Sequence, residues 1–263
     1  MKLKAILFDL DGVILDSEKI YQRFWIQAAA ELGYHISDEV FLQLRSCDAS
    51  IARRIVEEAA NAPGANITDI RNDSIGAPTA QKTGVCNDST GAPSDNKADI
   101  HNDSIGAPTA YDLIRAHRKK MMSEYMRSHG LELKDGVAEF LSELRQYPVK
   151  KAIVTSSSLE EKLPLLEKLG IAECFDEIVS VKEAARGKPF PDLYLSACGK
   201  MGLAPGECLA IEDSPNGVRS AHAAGVKVVM VPDLSGPDAE LAKICVVADR
   251  IGDVLELIKT ELS

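Results

Sequence analysis

The second half of the chain repeats one pattern, in which a short apolar stretch is followed by a segment with helical character. The apolar stretches are residues 152–155 (AIVT), 177–180 (EIVS), 208–213 (CLAIED) and 226–231 (VKVVMV), and a similar run occupies residues 3–9. Short strands that alternate with helices predict a parallel sheet covered by helices on both faces. The sequence therefore predicts an α/β fold built on a doubly wound parallel sheet, with its ligand site at the carboxyl ends of the strands.

A helical segment interrupted by tandem repeats lies between the first strand and this alternating half. Residues 18–33 and 48–60 have the amphipathic pattern of helices, which resumes at 111–128. The units NDSIGAPTA, NDSTGAPSD and NDSIGAPTA occupy residues 72–80, 87–95 and 102–110. They contain almost no large apolar side chains, so they cannot build a core. We interpret residues 62–110 as a low-complexity insertion. The alternative, a partner-binding or calcium-binding repeat, is disfavoured because its Asp residues recur too sparsely to cage an ion.

Charge and composition exclude several classes of function. The formal net charge is −10, whereas a nucleic-acid partner requires concentrated Lys and Arg. Asp9 and Asp11 interrupt the apolar run at the start, and no later stretch is apolar for long enough to span a bilayer. The six cysteines are scattered without a C-x-x-C pair, which favours a reducing compartment. We therefore expect a cytoplasmic protein without a nucleic-acid or membrane partner, and we favour a monomer.

Charged and hydroxyl side chains occur where the predicted strands end. They are Asp9 with Asp11, Thr155 with Ser156, Lys188, and Glu212 with Asp213. If the strand ends converge, four carboxylates meet, and they cannot all stay ionised without a cation. A divalent ion with oxygen ligands resolves this, and Mg²⁺ is the usual choice where phosphate supplies further ligands. Because Lys188 can bridge a carboxylate and a phosphoryl oxygen, the set predicts phosphoryl transfer.

These residues lie in four motifs that resemble those of the haloacid dehalogenase superfamily. The motifs are FDLDGVILDSE (8–18), AIVTSSS (152–158), GKPFPDLY (187–194) and IEDSPNGV (211–218), in the family's order. The resemblance covers the chain except for the repeats, and it points to the subgroup of beta-phosphoglucomutase and small-metabolite phosphatases with a helical cap. It implies a core domain of residues 1–16 and 135–263 and a cap domain of residues 17–134.

The resemblance also implies a role for each motif residue. Asp9 is the expected nucleophile, which forms an aspartyl-phosphate, and Asp11 is the expected general acid/base. Thr155, or alternatively Ser156, would hold a phosphoryl oxygen through its hydroxyl, and Lys188 would orient the phosphate. The expected Mg²⁺ ligands are Asp9, the backbone carbonyl of Asp11, Glu212 and Asp213, and the expected supports in the last loop are Asn216 and Ser214.

Cap residues and the overall reaction are predicted on less specific patterns. Arg45, Arg115 and Arg118 could face the site and grip substrate, or belong to solvated helix faces. We expect a Mg²⁺-dependent phosphate-monoester hydrolase that acts on a small phosphorylated metabolite such as a sugar phosphate. The alternatives are a beta-phosphoglucomutase-like sugar phosphomutase, which shares all these core residues, and a catalytically inactive binding protein with the same fold.

Overall fold

The computed structural model of the protein describes residues 2–62 and 107–262. Its strands are β1 (Ala5–Phe8), β2 (Lys150–Val154), β3 (Glu177–Val179), β4 (Cys208–Glu212), β5 (Lys227–Met230) and β6 (Val246–Val247). Its α-helices are α1 (Glu18–Glu31), α2 (Asp38–Leu44), α3 (Ala49–Ala60), α4 (Ala110–His129), α5 (Val137–Leu144), α6 (Leu159–Lys168), α7 (Asp192–Met201), α8 (Pro215–Ala223) and α9 (Ile251–Leu262). The predicted α/β fold with a helical cap is confirmed.

The strands form one parallel sheet in the order β3-β2-β1-β4-β5-β6. This order places β1 in the middle, between β2 and β4. Phe8, the last residue of β1, pairs with Ile153 of β2 and with Ile211 of β4. Because the three strands end almost level, the residues that follow them lie together at one edge of the sheet.

Both faces of the sheet are buried, as the continuous apolar strands predict. Along β1, Ile6 and Phe8 point into one core cluster, while Ala5 and Leu7 point into a second. The first cluster includes apolar side chains of α5 and α9, and the second includes those of α7 and α8. The strand residues are fixed from both sides, so the strand ends form a rigid platform for a site.

The helices α1 to α4 bury apolar residues among themselves and form the cap. Trp25 of α1, Phe41 of α2, Val56 of α3 and Ile114 of α4 belong to one cluster. Ser37 caps α2 through a hydrogen bond from the Val40 amide (3.3 Å), as expected for a serine directly before a helix. The cap therefore has a core of its own.

The predicted insertion at 62–110 falls mostly outside the described residues. Its last residues are described, and Ala110 already belongs to α4, so the helix begins inside the third repeat. Thr109 accepts a hydrogen bond from the Asp112 amide, and the Asp112 side chain accepts one from the Thr109 amide (3.2 Å). This reciprocal capping starts the helix and corrects the end of the predicted insertion.

Within residues 2–62 and 107–262, no helix combines the length and the apolar character that crossing a membrane requires.

Candidate active site

The backbone places the predicted motif residues at the carboxyl edge of the sheet. Asp9 directly follows β1, and its amide donates to the carbonyl of Ile211 on β4 (3.0 Å). Thr155 directly follows β2, and its amide continues the ladder to β3. Glu212 ends β4 and Asp213 follows it. Residues far apart in sequence therefore meet because three adjacent strands end at the same level.

Lys188 is the buried cation that holds this edge together. Its side chain is fully buried, and its ammonium donates to Asp9 Oδ1 (2.5 Å), Glu212 Oε1 (2.6 Å) and the Val154 carbonyl (3.1 Å). These three bonds use all the donors of a lysine. The Tyr194 hydroxyl also donates to Glu212 Oε1 (2.5 Å). Asp9 and Glu212 are thus each fixed through one oxygen.

The other oxygens of these carboxylates, and one oxygen of Asp213, have no protein donor. Asp9 Oδ2, Glu212 Oε2 and Asp213 Oδ1 are buried and have no hydrogen-bond partner. One ligand oxygen from each of the three residues lies within 4.8 Å of the others. Buried carboxylate oxygens left unpaired are costly unless a cation meets them. The donor set fits a hard divalent ion such as Mg²⁺.

The charge balance supports the same conclusion. Within the described residues, every buried charged side chain belongs to this region: the acids are Asp9, Asp11, Glu18, Glu212 and Asp213, and the bases are Arg45, Lys162 and Lys188. If all are ionised, the region carries a formal charge of −2. Burial raises the pKa of Asp9 to about 8, with Lys188 opposing the shift and Glu212 adding to it. Burial also raises the pKa of Asp213, and Glu18 adds to that rise. A divalent cation would neutralise the excess.

Asp11 lies in a different environment from the other carboxylates. Its Oδ1 accepts from Lys162 (2.6 Å) and from the Ser17 hydroxyl (2.8 Å), and its Oδ2 accepts from the Ser157 hydroxyl (2.7 Å). Burial raises the pKa of Asp11, but Lys162 and the two hydroxyls outweigh burial, so the net shift is downward. Both oxygens of the side chain have a donor, and the predicted metal role of Asp11 concerns its backbone carbonyl.

A cap loop, defined as residues 45–48, closes over this edge. The Arg45 guanidinium donates to Glu18 Oε2 (2.7 Å), to the Ser235 hydroxyl (3.1 Å) and to Asp213 Oδ2. Each of its three nitrogens thus has a protein partner. This geometry favours a role in holding Asp213 over the predicted grip on substrate.

Two further side chains fasten the cap loop to the core. Asn216 of α8 donates to the Arg45 carbonyl (2.9 Å) and so attaches the first residue of the loop to the core. Asp48 accepts from the Gly187 amide (2.7 Å), and its own amide donates to the Lys188 carbonyl (2.6 Å). Ser214, predicted as a support, accepts from the Gly217 amide (3.1 Å) and starts α8.

A cavity of about 790 Å³ opens between the cap and the carboxyl edge. Asp9, Asp11, Thr155 and Ser156 line its core side. The Thr155 hydroxyl accepts from the Ser157 amide (3.0 Å), whereas the Ser156 hydroxyl donates to the Ser46 carbonyl at 3.5 Å. Both hydroxyls border the cavity, so the choice between them stays a prediction.

The cap side of the cavity is basic and aromatic. Arg115, Arg118 and Lys119 line it from α4, and Tyr21 and Trp25 line it from α1. The Arg118 guanidinium lies over the rings of Tyr21 (5.3 Å) and Trp25 (4.9 Å). Stacking of this kind holds a guanidinium in place while its charge still acts on the cavity.

Two buried charged residues at the site were not expected from the sequence. Lys162 lies on α6 four residues before Leu166, and both side chains are buried. Glu18, at the start of α1, ends the quoted first motif but had no assigned role. Each pairs with an opposite charge from a segment remote in sequence, which no local pattern reveals.

Comparison with known proteins agrees with this geometry. A family model of the haloacid dehalogenase-like hydrolases matches residues 3–225. The plasmid protein CbbY of Cupriavidus necator is 31% identical over 97% of this chain and 88% of its own. Hexitol phosphatase A of Escherichia coli is 28% identical over 97% and 99%. Both relatives align over nearly the whole of this chain.

A solved structure has the same overall fold. A mutant of CbbY from Rhodobacter sphaeroides, in complex with xylulose-(1,5)bisphosphate, superposes with a TM-score of 0.66 at 21% identity, over 95% of this chain and 96% of that one. The predicted family and the predicted enzyme class, a phosphatase, are confirmed. The chain belongs to the haloacid dehalogenase-like hydrolase family, in its phosphatase subgroup.

Proposed function

We propose that the protein is a Mg²⁺-dependent phosphatase that hydrolyses a phosphorylated sugar through a phosphorylated Asp9. The observation that carries the proposal is the arrangement around Lys188. One oxygen each of Asp9 and Glu212 is fixed by this lysine, their other oxygens have no partner, and both residues form a buried cluster with Asp213. Such a cluster supplies the positioning and charge neutralisation that phosphoryl transfer requires.

Asp9, Glu212 and Asp213 would hold the metal through the three oxygens that lack a partner, together with the Asp11 carbonyl. When bound, Mg²⁺ supplies neutralisation of the negative charge that a phosphate brings next to these carboxylates. Lys188 adds a fixed positive charge at Asp9. Gly12 and Gly217 leave the room that two carboxylates need. A Cβ at Gly12 would overlap Asp213, and a Cβ at Gly217 would overlap Glu212.

The reaction divides into two steps. First, an Asp9 oxygen forms a bond to phosphorus while the bond from phosphorus to the sugar oxygen breaks, and Asp11 gives that oxygen a proton. Then a water molecule gives a proton to Asp11, and the water oxygen attacks the phosphorus. The bond between phosphorus and the Asp9 oxygen breaks in the same step. Asp11 borders the same cavity as Asp9, and its three donors favour the ionised form that accepts the proton from water in the second step.

The cavity supports a phosphorylated sugar as the substrate class. Its volume of about 790 Å³ exceeds what an inorganic phosphate needs, and α4 contributes three cationic side chains opposite Asp9. Tyr21 and Trp25 provide apolar faces beside them. The names of the relatives agree, since one is a hexitol phosphatase and another was solved with a sugar bisphosphate.

Activity is expected to require Mg²⁺ and to vanish in excess chelator. Asp213→Asn should raise the Mg²⁺ concentration for half-maximal activity at least about tenfold, because a hard-ion site loses an anionic ligand. Calorimetric titration with Mg²⁺ alone should show the same weakening. Asp16→Asn, which makes the same change at an exposed acid of the first motif, is the control. Full activity in excess chelator would contradict the proposed metal site.

Hydrolysis is expected to exceed isomerisation. A phosphomutase must retain a bisphosphate and exclude water while it turns over, and the segment LRSCDASIARR (44–54) only loosely resembles the mutase sequence. The test supplies beta-glucose 1-phosphate with a trace of the bisphosphate and follows phosphate and glucose 6-phosphate together. Faster formation of glucose 6-phosphate would establish the mutase alternative. Failure to release phosphate from any of a panel of sugar phosphates and chromogenic esters would favour the inactive binding protein.

A further inference from the structure

Lys162 is a buried cation that the reaction described above does not use. It lies on α6, four residues before the fully buried Leu166, and its side chain is 1% exposed. A lysine is rarely buried to this extent unless it is paired, because its charge loses hydration. Its ammonium contacts Asp11 Oδ1 at 2.6 Å and the Tyr21 hydroxyl at 3.0 Å. Both partners line the substrate cavity.

The site therefore contains two buried lysines with separate partners. Lys188 contacts Asp9 and Glu212, the carboxylates at the ends of β1 and β4. Lys162 contacts Asp11 alone among the acids of the described chain. The carboxylate that must receive a proton and the carboxylate that must attack phosphorus are thus each held by their own cation.

Three hydrogen-bond donors fix the Asp11 carboxylate in one orientation. Ser17 approaches from the segment that leads into the cap, Ser157 from the loop after β2, and Lys162 from α6. A hydroxyl can rotate to follow a moving acceptor, and it carries no charge. Lys162 is the one charged donor of the three, and charge-assisted hydrogen bonds are the stronger kind. It therefore contributes most to the orientation of Asp11.

We propose that Lys162 is a positioning residue for the reaction: it fixes the Asp11 carboxylate, and through Tyr21 it ties that orientation to cap helix α1. The inference rests on the proposed function, because it concerns how Asp11 serves as acid and base. Lys162 is not among the residues that line the cavity, whereas Asp11 is, so its effect passes through Asp11. Proton transfer depends steeply on the placement of the donor and acceptor atoms.

The test uses p-nitrophenyl phosphate with the Mg²⁺-loaded full chain and follows nitrophenolate rapidly after mixing. Nitrophenolate leaves without a proton, so formation of phospho-Asp9 does not need Asp11, whereas its hydrolysis does. Lys162→Met should lower steady-state kcat by roughly 10- to 100-fold, less than the roughly 100- to 10,000-fold of losing acid–base catalysis altogether, because Asp11 itself remains. Because the second step slows and the first does not, phospho-Asp9 should accumulate. A burst of about one nitrophenolate per site should then precede the slow phase.

Three variants separate positioning from a structural effect. Lys168→Met makes the same change at an exposed position of α6 and should leave kcat unchanged. Lys162→Arg retains the charge and should recover part of kcat. In an Asp11→Asn background, Lys162→Met should not lower kcat further, because the effects of substituting residues that act as a unit are not additive. That double variant also removes both buried charges, so it remains informative if the single one folds poorly.

The outcomes distinguish this inference from the proposed function. A wild-type protein that releases no nitrophenolate with Mg²⁺ would contradict the proposed function and the inference together. An active wild type whose Lys162→Met variant matches Lys168→Met would overturn the inference alone. It would also be overturned by a loss of kcat without a burst, or by a further loss in the Asp11→Asn background.

Discussion

Asp9→Asn is expected to reduce turnover of a phosphate monoester at least about 1000-fold, as losses of catalytic nucleophiles do. An amide has nearly the size of the carboxylate and can still accept from Lys188, but it cannot form the acyl-phosphate. The fold should persist, because the variant removes one of five buried acids from a region with excess negative charge. Steady-state hydrolysis and thermal unfolding, measured on the same preparation, check the two parts of this expectation.

The matched control is Asp16→Asn, which makes the same change at an exposed acid seven residues along the first motif. It should leave both turnover and thermal stability at the wild-type level. Peptide mapping after rapid quenching with substrate should find phosphate on Asp9 in the wild type and none in the variant. More than about one per cent of the wild-type rate in a clean Asp9→Asn preparation would refute the nucleophile assignment.

Gly217→Ala is expected to destabilise the protein by about 3 kcal/mol and to weaken Mg²⁺ binding in the same variant. Gly217 lies in the first turn of α8, and a methyl group there would overlap the Glu212 carboxylate. That carboxylate cannot move aside easily, because Lys188 and Tyr194 both donate to its Oε1. Either the helix shifts or Glu212 loses these bonds and its place among the metal ligands.

Gly199→Ala provides the comparison, since Gly199 is also inside a helix but is exposed, with open space where the methyl would go. It should gain up to about 1 kcal/mol of stability from the better helix propensity of alanine. Denaturant unfolding and calorimetric Mg²⁺ titration of both variants measure the difference. If Gly217→Ala were as stable as the wild type and bound Mg²⁺ equally well, the close packing of α8 on Glu212 would be disproved.

The parts of the site that follow strands were predictable from the pattern of apolar residues. Each strand is a short apolar run, so its end is visible in the sequence, and parallel strands bring their ends to one edge. Asp9, Thr155, Glu212 and Asp213 could therefore be placed together before any distance was known. Lys188 was expected with them at a strand end, but it lies between β3 and α7, well past the end of β3.

The parts of the site that depend on charge pairs between segments remote in sequence were not predictable. Arg45 has the sequence context of a helix end, and nothing local indicates that it reaches Asp213, 168 positions away. The same is true of Lys162 and Glu18, because each forms an ion pair with a residue of another segment. Burial of a charge is decided by its partner, and a partner remote in sequence leaves no pattern in either segment.

The fastening of the cap loop has a consequence for how such an enzyme can change over evolution. The bonds from Asn216 to the Arg45 carbonyl, and between Asp48 and the backbone of residues 187–188, all have a main-chain group on one side. Ser46 and Cys47 lie between these anchors and face the cavity. Main-chain groups are the same for nearly every amino acid, so the side chain at 47 can be exchanged while these bonds persist. At Ser46 the backbone has φ 51°, in the left-handed region that most side chains avoid, so fewer residues suit that position. Changes at residue 47 therefore leave the atoms that carry out the chemistry in place.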